Sequence, residues 1–182
     1  MSERHALAPR RRARTDVLEA GFWYFSYFLT ERGRAGLARD PQRVARVIWQ
    51  GNSPEWPFSE HDPARAATAF ANPDHTDVVV HSYRHRLGFA PGAEEYAGHA
   101  ARLAELPAIT VPAVTLDGLA DGNFPATDGS STARHFTGPR PHRKVADAGH
   151  NLPQERPGAF AAAVRDVRRL RQGNAGRDRL AG

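Results

Sequence analysis

The chain has 182 residues, no cysteine and a formal net charge of +5, which suits one domain of ordinary size and excludes disulfides and thiolate metal sites. Hydrophobic residues make up 40% of it, with nine Phe and three Trp, so a core is available, yet no apolar run approaches the roughly 20 residues of a membrane span. Lys144 is the one lysine among 25 basic side chains; this arginine skew, with abundant Ala, Gly and Pro, reads as coding bias, and without a stacking motif it argues against a nucleic-acid partner.

Residues 1–15 are Arg-rich without the apolar stretch of a signal peptide, so a disordered leader and a cytoplasmic location are expected. Asp16 is a candidate N-cap for a helix through Phe22, Tyr24, Phe25 and Phe28, ending near Gly33-Arg-Ala-Gly36. Asp40-Pro41 opens a second helix with Val44, Val47 and Ile48 on one face. Residues 51–61 form a loop by composition. Asp62-Pro63 starts a third helix through Phe70. Asn72-Pro73 starts a fourth, carrying Val78, Val79 and Tyr83 to Gly88. A fifth helical stretch, 93–106, stops at Pro107.

After Pro107 the pattern changes. Strands are expected over about 110–116 and 143–147, with a short helix near 130–136 between them. A last helix over 157–171 places Phe160, Val164 and Val167 at i, i+4 and i+7. Residues 172–182 are expected to be a flexible tail.

Two polar residues stand at the ends of these strands. Asp121 follows the first in Gly118-Leu-Ala-Asp121, with Asp117 as its rival, and His150 follows the second in Gly149-His150. A carboxylate and an imidazole beyond the C-terminal ends of strands lie where open α/β sheets put their chemistry. The Asp would fix the tautomer of the His and stabilise its imidazolium. His81 and His85 are spaced i, i+4 on one helix face, but no third ligand accompanies them, so a polar face is the better reading than a metal site.

Ile109 to Val164 resembles the C-terminal end of an α/β-hydrolase. The helical stretch 16–106 resembles the cap (lid) of the epoxide hydrolase and haloalkane dehalogenase branch. Tyr24-Phe-Ser-Tyr27-Phe28 and Ser82-Tyr83-Arg84 are similar to the cap segments that carry the two ring-opening tyrosines. The resemblance implies an incomplete α/β-hydrolase fold, with a helical cap (16–106) followed by a core segment (107–171) holding the last two parallel strands and the C-terminal helix. It further implies His150 as base, Asp121 as its acid, and Tyr24 and Tyr83 as electrophilic donors.

The substrate would be a small apolar epoxide, or a related halide or ester. Water would be the second substrate, with no metal or organic cofactor, no nucleic acid and no membrane. No Gly-x-Ser-x-Gly and no Gly-x-Asp-x-x-Gly elbow occurs, so the chain reads as the C-terminal part of a longer enzyme, inactive by itself and able to self-associate through an open sheet edge. The alternative is a non-catalytic helical interaction module derived from a degenerate hydrolase.

Overall fold

The computed structural model describes residues 19–59 and 61–178, apart from the side chains of 61–64 and 173–178. The leader 1–15 and the candidate cap Asp16 lie outside the described residues.

Helix α1 (Trp23–Leu29) ends at Thr30, and α2 (Glu31–Arg39) starts there. Thr30 is extended, gives its N–H to the Tyr27 carbonyl, and its Oγ1 accepts from Gly33 N at 3.0 Å. The Thr30 hydroxyl also donates to the Tyr27 carbonyl at 2.8 Å, so one residue closes one helix and caps the next. This corrects the expected single helix ending at Gly33–Gly36. Neither glycine is a terminator. A Cβ on Gly33 would overlap the Tyr27 carbonyl, and one on Gly36 the Tyr27 hydroxyl, so both let α2 fold back closely on α1.

Asp40 caps α3 (Pro41–Asn52) as expected, its Oδ1 accepting from Arg43 N at 2.9 Å. The helix runs through Gly51 and Asn52, which composition assigns to a loop. Helices α4 (His61–Phe70) and α5 (His75–Arg86) follow, then a 3-10 turn (Glu94–Tyr96) and α6 (Ala97–Ala104). Tyr24, Phe28, Leu37 and Val80 form the buried centre of this helical layer, with Val44, Ile48, Val79 and Tyr83 packed against it. Phe28 is 2% exposed, a burial that stabilises by about 1.5–3 kcal/mol.

The sheet has two parallel strands, β1 (Thr115–Gly118) and β2 (His142–Val145), with Thr115 opposite His142 and Gly118 opposite Val145. The first strand starts later than the expected 110–116 and includes Asp117-Gly118. Pro112 has no N–H for a ladder. An isolated Ile109–Phe136 bridge precedes it, and pairing resumes with Ala113 N to Pro139 O (2.9 Å) and Thr115 N to Pro141 O (3.0 Å). The second strand, expected over 143–147, ends at Val145; Asp147 has a positive φ of 51°, which turns the chain.

Between the strands lies α7 (Ser130–Ala133). After β2 come α8 (Leu152–Glu155) and α9 (Pro157–Asp178). The last helix therefore continues beyond the expected 171, and the stretch assigned to a flexible tail is helical as far as Asp178. Extending a formed helix costs little per residue, even through Gly173 and Gly176.

Candidate active site

Gly118 ends β1 against the loop that follows β2. A Cβ there would overlap the carbonyls of Ala148 and Gly149, so the glycine brings the two strand ends together. The chain after β1 then makes a tight Asx turn: Asp121 Oδ1 accepts from the N–H groups of Asn123 (2.8 Å) and Phe124 (2.9 Å). This fixes the carboxylate and leaves Oδ2 free. His150 Nδ1 lies 2.9 Å from that oxygen. Since an ionised carboxylate only accepts, Nδ1 carries the proton and Nε2 is left as the acceptor.

Asp121 is largely enclosed, at 12% side-chain exposure, whereas His150 is 39% exposed. That suits a base whose far nitrogen meets water. Phe124 stacks on the His150 ring, with centroids 5.8 Å apart.

Asp117 is placed elsewhere. Its Oδ2 accepts from the Thr127 N–H (2.8 Å) and hydroxyl (2.9 Å), and the nearest imidazole is His142, at 3.7 Å. His142 Nε2 also lies 3.1 Å from the Thr127 carbonyl, so this second Asp–His contact ties a loop to β2.

Tyr24 and Tyr83 come together from α1 and α5, their rings 5.8 Å apart and edge to face. Burial pushes both phenols above the ordinary value. At Tyr24 the polar Asn52 and Asn123 side chains and the Arg86 charge pull the other way, while the Asp121 charge adds to the rise. At Tyr83 the neighbouring Tyr24 adds to burial, and Arg86 opposes it. Both phenols are therefore protonated at neutral pH and can donate. Tyr24 bridges to the Asp121 loop through Phe22, which packs against both Tyr24 (6.4 Å) and Phe124 (5.2 Å).

Four residues of the frame carry no signal readable as such in the sequence. The Asn52 carbonyl accepts from both Gly122 N (3.0 Å) and His150 N (3.2 Å). Ser53 Oγ accepts from the Asn151 N–H (3.1 Å) and side-chain amide (2.9 Å). Glu155 accepts from Gly149 N at 2.7 Å and Asn151 N at 3.0 Å. Asn123 Nδ2 donates to Asn52 Oδ1 at 2.7 Å. Asp121-Gly-Asn-Phe124 does have the composition of an Asx turn, the one local hint at Asn123.

The His81 and His85 rings stack 6.1 Å apart, and His85 Nδ1 lies 3.3 Å from the Ala90 carbonyl. Among the described residues no three His, Asp or Glu side chains converge as a metal would require.

No protein-family model matches the chain, and no curated protein does. Among solved structures, it is similar to the crystal structure of a "putative epoxide hydrolase" of Klebsiella pneumoniae subsp. pneumoniae. The two share 42% identity with a TM-score of 0.80, over 87% of this chain and 52% of that one. It is also similar in fold to wild-type Cfl2 of Burkholderia cenocepacia, at 19% identity and a TM-score of 0.57, over 90% of this chain and 51% of that one. The chain thus spans about half the length of each.

Proposed function

We propose that the chain is the cap and last two strands of an epoxide hydrolase-like member of the α/β-hydrolase superfamily, a reading supported by its 42% identity to the Klebsiella protein, and that it serves the hydrolysis of a small apolar epoxide. The supporting observation is the convergence of the Asp121–His150 pair, 2.9 Å apart, with the buried Tyr24 and half-buried Tyr83, whose rings meet edge to face.

The attacking carboxylate is assigned to the half of the enzyme that this chain does not span. That carboxylate forms a C–O bond to an epoxide carbon as the ring C–O bond breaks, and the electron pair moves to the epoxide oxygen. Tyr24 or Tyr83 gives that oxygen a proton, which stabilises charge as it develops. His150 Nε2 then takes a proton from water, and the resulting hydroxide adds to the ester carbonyl. Collapse expels the second oxygen of the diol as an alkoxide, which takes the imidazolium proton, and the carboxyl proton left from water returns to the tyrosinate, so epoxide and water leave as the diol. Asp121 stabilises the imidazolium and holds the ring. Phe22, Phe25 and Phe124 around the phenols and His150 favour an apolar substrate.

The test joins this chain to the N-terminal half of the Klebsiella protein and follows styrene oxide. Turnover is expected, and His150→Ala should abolish it while a covalent ester accumulates, visible as added mass, because alkylation needs no base. Replacing both tyrosines by Phe should slow ring opening by about 10²–10³. Turnover of the His150→Ala form within about threefold of the parent would remove His150 from the mechanism. Hydrolysis of a haloalkane or aryl ester without any epoxide would move the assignment to a dehalogenase or esterase. No turnover of any of these would favour a non-catalytic module.

A further inference from the structure

We infer that Phe124 is a positioning residue for the His150 base: its ring lies on one face of the imidazole and fixes the direction in which Nε2 meets water. This deepens the hydrolase reading, on which it rests for the role of His150. The packing from which it starts stands independently.

One hydrogen bond does not fix an imidazole. His150 Nδ1 is held by Asp121 Oδ2 at 2.9 Å, and the His150 backbone N–H by the Asn52 carbonyl at 3.2 Å. The ring is still free to turn about the Nδ1···Oδ2 line, because such a turn changes neither the length nor the angle of the bond. Each turn swings Nε2 to a new direction. At 39% side-chain exposure the imidazole is not wedged on all sides. What meets its face is Phe124. The two rings are stacked, with centroids 5.8 Å apart and planes 21° apart, within the range over which offset aromatic pairs attract. Turning the imidazole would break that face-to-face contact.

Phe124 is 48% exposed, so burial in a core does not account for where it sits. Two contacts do. Its backbone N–H donates to Asp121 Oδ1 at 2.9 Å, and its ring packs on Phe22, with centroids 5.2 Å apart. Phe22 packs in turn on Phe25 (5.1 Å) and Tyr24 (6.4 Å) of α1. The helical layer therefore backs the ring that covers the base. The turn from Asp121 to Phe124 acts on both members of the pair: its N–H groups hold the carboxylate, and its last side chain lies over the imidazole.

The first experiment is nuclear magnetic resonance of the chain itself with labelled histidines, His150 being identified by the signals that His150→Gln lacks. In the parent, Phe124 ring protons should show Overhauser contacts with the imidazole protons, and His150 should hold a single ring torsion. Absent contacts overturn the inference whatever the variants do. Phe124→Leu keeps the apolar bulk and the backbone N–H but removes the ring, and the His150 torsion should then be averaged. Phe124→Tyr should restore the single orientation. Where the leucine form is unfolded by circular dichroism, the methionine form replaces it. A torsion that stays single without the ring overturns the inference.

The second experiment uses the chain joined to the N-terminal half of the Klebsiella protein. Phe124→Leu should leave formation of the covalent ester in place and slow its breakdown by about 10–10², the scale on which misplacement of a reacting group acts. The ester would then accumulate as added mass, and Phe124→Tyr should clear it. Slower ester formation with unchanged breakdown would make Phe124 a wall of the substrate site and overturn the positioning role. A ring torsion that responds to Phe124 in a joined but inert protein would refute the hydrolase reading and leave the positioning role standing.

Discussion

The backbone N–H groups of Gly149 and Asn151, on either side of His150, both point at the carboxylate of Glu155. Hydrogen bonds to a charged acceptor contribute about 1.5–3 kcal/mol, and a buried donor left unpaired costs a similar amount. Glu155→Ala should therefore lower stability by about 1–3 kcal/mol, chiefly through the Gly149 N–H it strands, since the Asn151 N–H keeps Ser53 Oγ, with a matching drop in the thermal midpoint. An unchanged midpoint would show that this turn holds itself. The tyrosines give a pH signature. Burial raises both phenols, so their contribution is complete below the ordinary phenol value of 10.0 and is lost as pH rises through the raised folded value. The thermal midpoint should fall on that alkaline side, and Tyr24→Phe should flatten the fall. Asp121 and His150 were legible in the sequence because each follows its own strand end. Asn52 was not: its partner Asn123 lies 71 residues away, and nothing local marks the last residue of a helix as an anchor.

Thr30 and Gly33 set how α1 meets α2. Gly33→Ala would put a methyl group into the Tyr27 carbonyl, and overpacking of this kind typically costs about 1–3 kcal/mol. The same substitution at Gly98, where nothing lies within 4 Å, should instead be neutral or slightly stabilising, since alanine is the better helix former. Denaturant midpoints of the two variants measure the contrast. At the other end of the chain, Arg143 of β2 bonds Asp166 of α9 at 2.7 Å. That bond, helped by Arg169, holds the Asp166 carboxyl below its ordinary value. Its contribution is present above that ordinary value and is lost as pH falls through the lowered one. Asp166→Asn should remove this acid-side component from a pH series of melting curves. Helix starts were readable where Asp–Pro or Asn–Pro marks them. The break at Thr30 was missed because the apolar period runs on across it, and glycines read as stops were serving close approach. The shifted first strand follows from Pro112, whose missing N–H interrupts the ladder without ending the extended chain.

Taken as a whole, the chain leaves apolar surface uncovered where its two strands end. An open groove of about 360 Å³ lies between β1 and α9, lined by Val114, Leu116, Phe160, Val164 and Val167 among others. Parallel strands are ordinarily covered on both faces and paired along their edges, and an unpaired edge is a template for association. The chain alone should therefore self-associate with rising concentration, as followed by light scattering. Phe160→Lys with Val164→Lys should reduce this. A strictly monomeric parent at every concentration would contradict it. The change after Pro107 was legible, from long helical stretches to two short strands around a short helix. The seam between the layers was not, since it is made by backbone carbonyls and small side chains.

That seam has a practical meaning for recombining lids. The boundary near Pro107 looks like a natural place to cut, yet Asn52 and Ser53 on one side are bonded to Gly122, His150 and Asn151 on the other. On the proposed hydrolase reading, helices exchanged from a relative would arrive with a foreign corner under the imidazole, and the transplant would disturb proton transfer before it changed substrate choice. Chimaeras that carry the segments around Asn52, Asn123 and Asn151 from one parent should keep their chemistry. Those that divide them should lose it while remaining folded.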